Sequence, residues 1–189
     1  LTGLYPPGSA FKVVTLSGVL ENFTGIEKEK FETKGYIKVG GRVIKDDNSI
    51  KPGEYSLKEA FAVSSNAIFA GLGLRLGRDK LLKIAGDFGF NSKIPFEMYV
   101  KKSQFPGHSL MDSDVQLAED SIGQGKVLVT PLFMASIAQI IANHGVYHSP
   151  YIIDKVKTPL GQVKVNNLRT VRKTDPILTA GELNHSQSG

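Results

Sequence analysis

Ser9 and Lys12 are the first residues in the chain whose types and spacing could support catalysis. A serine and a lysine three positions apart on a helix lie on one face, one turn apart, so the amine can reach the hydroxyl. A neutral lysine amine can take the serine proton and make the hydroxyl a nucleophile, provided that burial lowers the lysine pKa far below its ordinary value of about 10.4. The amides and the positive dipole end at the helix N-terminus would stabilise an oxyanion. A serine that caps a helix and a lysine in solvent fit the same pattern, so both interpretations stay open.

A second candidate group is the segment Ser64-Ser65-Asn66, which falls between two predicted helices. A hydroxyl and a carboxamide two positions apart could project from this turn into a shared cleft. Ser64 could then relay a proton, and Asn66 could orient Lys12 and a substrate amide. The alternative is that the segment only caps the following helix.

Local signals predict the helices that would position these residues. Pro6-Pro7-Gly8-Ser9 makes Ser9 an N-cap residue and leads into a helix over residues 10–21. Ser56-Leu57-Lys58-Glu59 matches a capping box and predicts a helix to about Val63. Further helices are predicted from about residue 66 to the break at Gly77, over residues 78–85, after Ser113, and from the N-cap Thr130 through residue 141.

Alternating apolar residues predict two β-hairpins. The first covers residues 31–44 and turns at Gly40-Gly41, and the second has strands within residues 151–156 and 162–165. Residues 86–107 are predicted to be a loop, since prolines and glycines punctuate them.

Composition limits the classes of protein that fit. The 189 residues are 41% hydrophobic and 22% charged, which is typical of one soluble domain, and the absence of cysteine excludes disulfides and thiolate metal sites. The net charge of +5 is spread along the chain, so nucleic-acid binding is not expected. No unbroken apolar stretch is long enough to cross a bilayer, and the opening Leu1-Thr2-Gly3 suggests a piece of a longer protein.

Three segments together carry a resemblance that none carries alone. They are residues 4–12 (LYPPGSAFK), residues 60–66 (AFAVSSN), and residues 121–132 with Gly123-Gln124-Gly125 and Thr130-Pro131-Leu132. From residue 1 to about residue 156, the chain closely resembles the transpeptidase domain of penicillin-binding proteins. The family's Ser-x-x-Lys matches Ser9 and Lys12, and its Ser-x-Asn matches Ser64 and Asn66, in the family's order.

The resemblance implies an α+β fold of the β-lactamase/transpeptidase type, of which this chain supplies mainly the helical lobe with short β-hairpins. Residues 1–165 would be a partial transpeptidase domain that begins at the nucleophile helix and ends before the third family motif, and residues 166–189 a polar tail that we expect to be disordered. The third motif, Lys-Thr-Gly or Lys-Ser-Gly, is absent from the chain. Lys157-Thr158-Pro159 and Lys173-Thr174-Asp175 are near matches. We interpret them as turn and loop residues, because Pro159 lacks a backbone donor and Asp175 would repel a substrate carboxylate.

By this resemblance, Ser9 attacks the penultimate D-alanine carbonyl of a peptidoglycan stem peptide, and β-lactam antibiotics acylate the same serine. Lys12 accepts the serine proton. Ser64 helps to pass a proton to the leaving amine, and Asn66 binds the acyl side chain and Lys12. The amide of Ser9 supplies half of the oxyanion hole.

The resemblance also implies the surroundings of the site. Ser65 and Gln124 are expected to bind substrate, and no metal or other cofactor is expected. The parent protein would be membrane-anchored and would work at the extracytoplasmic face of the bacterial cell membrane, with other cell-wall synthesis proteins as partners. Without the third motif, the chain itself is expected to acylate slowly or not at all.

Two alternatives stay open from the residues alone. A β-lactamase-like hydrolase or a β-lactam sensor domain shares the Ser-x-x-Lys motif, although the Gly-Gln-Gly and Thr-Pro-Leu segments favour the synthetic enzyme. A non-catalytic structural or partner-binding lobe would use Ser9 only to cap a helix.

Overall fold

The computed structural model describes residues 1–107 and 113–166 as a mixture of α-helices and short antiparallel strands. The helices are α1 (Lys12–Asn22), α2 (Leu57–Ala62), α3 (Asn66–Leu76), α4 (Arg78–Asp87), α5 (Asp114–Ser121) and α6 (Pro131–Ala142). The strands are β1 (Lys30–Thr33), β2 (Tyr36–Val39), β3 (Arg42–Lys45), β4 (Gly53–Ser56), β5 (Lys155–Lys157) and β6 (Val163–Asn166). Two 3₁₀ turns span Gly8–Phe11 and Ile26–Lys28.

The strands form antiparallel pairs, β1 with β4, β2 with β3, and β5 with β6. The two predicted hairpins are confirmed, and Gly40 and Gly41 both adopt the positive φ that a tight turn requires. The prediction that residues 31–33 belong to the first hairpin is wrong, because they lie in β1 and pair with β4. β4 was not predicted, since its four residues show no local pattern and its partner lies some twenty residues earlier.

Side-chain caps begin four of the helices where the sequence places them. Ser56, Ser65, Ser113 and Thr130 each accept a hydrogen bond from a backbone amide in the first turn, and Ser56 completes the capping box with Glu59. The helix predicted over residues 78–85 extends to Asp87.

Ser9 does not cap α1, which corrects the predicted N-cap. It lies inside the 3₁₀ turn Gly8–Phe11, and α1 begins at Lys12 instead of residue 10. The physical reason is a tertiary contact, because the Gly8 amide donates to the Gly123 carbonyl at 2.9 Å and Phe11 is fully buried. The tighter turn leaves the Ser9 side chain exposed and the Lys12 side chain buried.

Two hydrophobic clusters share α1. One contains Phe11 and Val14 with the aromatic rings of Phe90, Phe105 and Phe133. The other contains Leu16, Val19, Ile26, Phe69 and Ala118. Because α1 contributes to both, it is buried on nearly all sides and holds the 3₁₀ turn at a fixed place.

The near match Lys157-Thr158-Pro159 divides between two elements. Thr158 and Pro159 lie in the turn between β5 and β6, as predicted, whereas Lys157 ends β5. The second near match at Lys173 and residues 167–189 of the predicted tail lie outside the described residues. Asn166, predicted to begin the tail, instead ends β6, where it pairs with Lys155. Across the described ranges, none of the helices combines the length and the apolar content that crossing a bilayer would require.

Candidate active site

The 3₁₀ turn and the first residue of α1 bring Ser9 and Lys12 together. The Lys12 ammonium nitrogen lies 3.2 Å from Ser9 Oγ. Lys12 is 1% exposed, whereas Ser9 is open to solvent. A hydroxyl at the surface, with an amine directly beneath it, can meet a substrate while its proton is removed from below.

The second group reaches the same amine from the turn between α2 and α3. Lys12 Nζ lies 2.6 Å from the Ser64 carbonyl oxygen, 2.9 Å from Ser64 Oγ and 2.8 Å from Asn66 Oδ1. Ser64 adopts φ of +60°, a left-handed backbone that few residues other than glycine use. This strained conformation directs both the carbonyl and the hydroxyl of one residue at Lys12. The structure therefore joins the two motifs through a single amine.

Four oxygens surround an amine that has three protons when charged. Ser64 O and Asn66 Oδ1 can only accept in these contacts, whereas the hydroxyls of Ser9 and Ser64 can also donate. A neutral amine keeps two donors for the two fixed acceptors and turns its lone pair toward a hydroxyl. The site is thus compatible with the neutral, basic form of Lys12.

Burial lowers the pKa of Lys12 from 10.5 to about 8, and the negative charge of Asp46 partly opposes that shift. The Phe69 ring lies 5.8 Å from the amine and adds to its apolar surroundings. At pH 7, a pKa of about 8 leaves about one-tenth of the lysine unprotonated, far more than the ordinary lysine pKa would allow.

Asp46 supports the site from beneath, and no sequence pattern predicted it. Its buried carboxylate accepts hydrogen bonds from Thr33 Oγ1 at 2.7 Å, Ser65 Oγ at 2.9 Å and the Ala67 amide at 2.8 Å. These bonds hold the start of α3 and, with it, the Ser64 turn. Asp46 directly follows β3, and no motif or spacing marked it, because its partners lie up to 21 positions away.

Ser65 and Gln124 occupy different environments. Ser65 is fully buried, donates to Asp46 and caps α3, which favours a supporting role over direct contact with substrate. Gln124 is exposed in the loop after α5, whose Gly123 carbonyl accepts from the amide of Gly8. Gln124 is therefore on the loop next to the Ser9 turn.

Residues 1–107 and 113–166 contain no cluster of side chains of the kind that binds a metal ion. No three His, Asp or Glu side chains lie close enough there to hold an ion. The side chains that contact the Lys12 amine are two hydroxyls and one carboxamide.

A family model and the sequence relatives of this chain point to the same protein family. Residues 1–184 match the family model described as the penicillin binding protein transpeptidase domain. The chain is 32% identical over 181 residues to the peptidoglycan D,D-transpeptidase PbpA of Mycolicibacterium smegmatis, covering 91% of this chain and 34% of that protein. It is 31% identical over 176 residues to stage V sporulation protein D of Bacillus subtilis, covering 92% of this chain and 26% of that protein.

Solved structures agree with the sequence relatives. The D,D-transpeptidase domain of a peptidoglycan glycosyltransferase from Eggerthella lenta superposes with a TM-score of 0.90 at 30% identity, over 99% of this chain and 48% of that one. The penicillin G acyl-enzyme complex of penicillin-binding protein A from M. tuberculosis gives a TM-score of 0.86 at 31% identity, over 97% of this chain and 42% of that one.

These structures confirm the expected α+β fold. The chain spans about a quarter to a third of the length of the curated relatives described above. With the family model matched over nearly the whole sequence, the chain belongs to the penicillin-binding protein transpeptidase family.

Proposed function

We propose that the chain is the serine- and lysine-bearing part of a bacterial peptidoglycan D,D-transpeptidase. The observation that carries the proposal is the buried Lys12 amine, which has Ser9 Oγ, Ser64 Oγ and Asn66 Oδ1 all within 3.2 Å. The D,D-transpeptidase names of relatives at about 30% identity support the same reaction class.

In the proposed acylation step, Ser9 Oγ attacks the carbonyl carbon of the penultimate D-alanine of a stem peptide. The serine proton moves to the neutral Lys12 amine as the new C–O bond forms. The amide of Ser9 donates to the oxyanion. The C–N bond then breaks, and Ser64, which lies 2.9 Å from Lys12 Nζ, helps to carry that proton to the departing D-alanine amine.

In the proposed second step, an amine of a neighbouring strand attacks the acyl ester. Its surplus proton returns through the same groups to Ser9 Oγ, so the enzyme is regenerated and a cross-link is formed. A β-lactam would acylate Ser9 in the same way, with its ring amide as the bond that opens. M. tuberculosis penicillin-binding protein A, at 31% identity, forms an acyl-enzyme with penicillin G.

Substrate contacts are assigned to groups with free hydrogen-bonding capacity. One N–H of the Asn66 carboxamide donates to the Lys45 carbonyl at 2.9 Å, and the amide nitrogen has a second N–H for an acyl side chain. Gln124 is exposed on the loop that contacts the Ser9 turn, and we assign it a substrate contact. Ser65 we assign to holding the turn, since its hydroxyl is buried.

The proposed setting is the extracytoplasmic face of the bacterial cell membrane, where stem peptides are cross-linked. The parent protein would be membrane-anchored and would meet other cell-wall synthesis proteins. The excess of positive charge, +5, suits an anionic envelope.

The reaction is tested with the full-length parent protein and a stem pentapeptide ending in D-alanyl-D-alanine, with a free amine acceptor. We expect release of D-alanine and formation of the acceptor-linked product, both abolished by Ser9→Ala. Ser92→Ala, at an exposed loop serine, is the matched control and should keep both activities. Rapid nitrocefin hydrolysis without acceptor-linked product would instead identify a β-lactamase-like hydrolase.

A further inference from the structure

Asp120 is a fully buried acid outside the Ser9–Lys12 group. It is the last residue but one of α5. Its Oδ1 accepts from Gln116 Nε2 and from the Lys126 amide, both at 2.9 Å. Its Oδ2 is buried and has no hydrogen-bond partner among the described residues. A buried carboxylate with one unpaired oxygen is unfavourable for folding, so its presence points to a task other than core packing.

The hydrogen bonds of Asp120 close the loop between α5 and residue 126. The Lys126 amide is tied back across five intervening residues, and Gly123 and Gly125 inside the loop adopt φ of +72° and +67°. A Cβ added at Gly125 would lie 2.7 Å from Asp120 Oδ1. The carboxylate therefore lies directly against the backbone of the loop and fixes its curvature.

The same loop supports the turn that carries Ser9. The Gly123 carbonyl accepts from the amide of Gly8, the residue before Ser9, at 2.9 Å. A Cβ added at Gly123 would collide with the Gly8 carbonyl oxygen, so the two backbones are in close contact. In the first turn of α1, Thr15 Oγ1 donates to the Ser121 carbonyl at 2.7 Å. A change in the loop would thus reach the Ser9 amide through one hydrogen bond.

We propose that Asp120 is a positioning residue, whose carboxylate holds the loop at residues 122–126 in the conformation that orients the Ser9 turn. The link from Asp120 to Gly8 stands on geometry alone, and its consequence for acylation rests on the proposed function. Loss of the carboxylate removes its hydrogen bond from the Lys126 amide, relaxes Gly123 and loosens the hydrogen bond to Gly8.

The charge of Asp120 makes this coupling measurable. Burial raises the pKa of Asp120 to about 6, while the hydrogen bonds from Lys126 and Gln116 and the charge of Lys126 lower it. Glu119, which also pairs with Arg42 at 3.1 Å, raises the pKa further. Since hydrogen bonds to a charged carboxylate are the stronger ones, protonation of Asp120 weakens the closure of the loop.

The test uses amide signals of the full chain in two-dimensional NMR, which need no enzymatic activity. As pH falls through about 6, we expect the Lys126 and Gly8 amide shifts to titrate together, and Asp120→Asn to remove both titrations. Asp120→Ala should speed hydrogen exchange at the Gly8 amide by about 10-fold or more at neutral pH. Glu119→Gln is the control, because it removes a neighbouring charge whose side chain bonds neither the Lys126 amide nor Gln116. It should leave the rate of hydrogen exchange at the Gly8 amide within about two-fold of the wild-type rate.

A Gly8 shift that stays constant while Lys126 titrates would overturn the proposal, and so would unchanged Gly8 exchange in a folded Asp120→Ala variant. If Asp120→Ala does not fold, the wild-type titration and the Asp120→Asn spectrum still show whether the Gly8 amide responds to the charge of Asp120. Acylation of Ser9 in the full-length parent with no Gly8 coupling would refute the role of Asp120 alone, whereas Gly8 coupling without acylation of the full-length parent would refute the proposed function alone.

Discussion

At the scale of single residues, the site depends on how Lys12 is surrounded. No carboxylate contacts its amine directly among the described residues. Asp46 acts from behind Ser65 and only partly offsets the effect of burial. Neutral oxygens hold the amine in place without fixing its proton, which is what a general base requires.

The pH dependence of acylation follows from Lys12. Because burial lowers its pKa to about 8, the basic form grows as pH rises, and the rate of acylation by a fluorescent penicillin should increase through about pH 8 and then level off. The measurement is the labelling rate of the full-length parent from about pH 6 to about pH 9. A rate that is flat or falls with rising pH over this range would exclude Lys12 as the base.

Asn66→Asp changes the charge beside Lys12 with almost no change in shape. A carboxylate at 2.8 Å from the amine should raise the Lys12 pKa, so acylation at neutral pH should slow by about 10-fold or more and recover at higher pH. The readout is the same labelling profile.

Asn22→Asp is the matched control for that variant. It makes the same charge change at the far end of α1, about 15 Å along the helix from Lys12. Its profile should match the wild type, and an equal displacement in both variants would contradict a local effect at Lys12.

At the scale of elements, the sequence predicted the helices and hairpins that have local signals. The capping box at Ser56, the N-cap Thr130 and the turn Gly40-Gly41 each use neighbouring residues only, and each was confirmed. The 3₁₀ turn around Ser9 and the pairing of β1 with β4 depend on contacts far apart in sequence, so local patterns could not reveal them. The same holds for the site, because local spacing predicted the two motifs, whereas the contacts of Asp46 with Ser65 and Ala67 are distant in sequence and no pattern predicted them.

Close packing of α3 on α5 leads to a stability prediction. A Cβ at Gly73 would collide with Ser121 Oγ, so Gly73→Ala should lower the free energy of unfolding by about 1 to 3 kcal/mol. Gly86→Ala in α4 is the control, since a Cβ there meets nothing within 4 Å, and it should raise stability by about 0.5 to 1 kcal/mol. Urea unfolding measures the free energy of unfolding of both variants. Equal changes of the same sign would show that helix propensity, and not packing, determines the effect of an alanine at these positions.

In the molecule as a whole, α1 joins two hydrophobic clusters, and both sequence motifs meet at Lys12, its first residue. Several large apolar side chains are nevertheless exposed, among them Leu160 at 89%, Tyr99 at 75% and Ile152 at 60%. The exposure is concentrated toward residues 151–163, near the end of the described part of the chain.

The chain by itself should react slowly with penicillin. It contains no Lys-Thr-Gly or Lys-Ser-Gly segment, and the loss of one oxyanion donor reduces rates by about 10²-fold to 10³-fold. We therefore expect fluorescent penicillin to label this 189-residue chain about 100-fold more slowly than the full-length parent. Rapid stoichiometric labelling of the chain would refute this expectation.

In the proposed reaction, Ser9 is the nucleophile and Lys12 activates it. The most direct measurement is peptide mapping by mass spectrometry after the full-length parent has reacted with penicillin. We expect one acyl adduct, on the peptide that contains Ser9, which is absent from Ser9→Ala and strongly reduced in Lys12→Ala. An adduct on another residue, or an undiminished adduct in Ser9→Ala, would contradict the account.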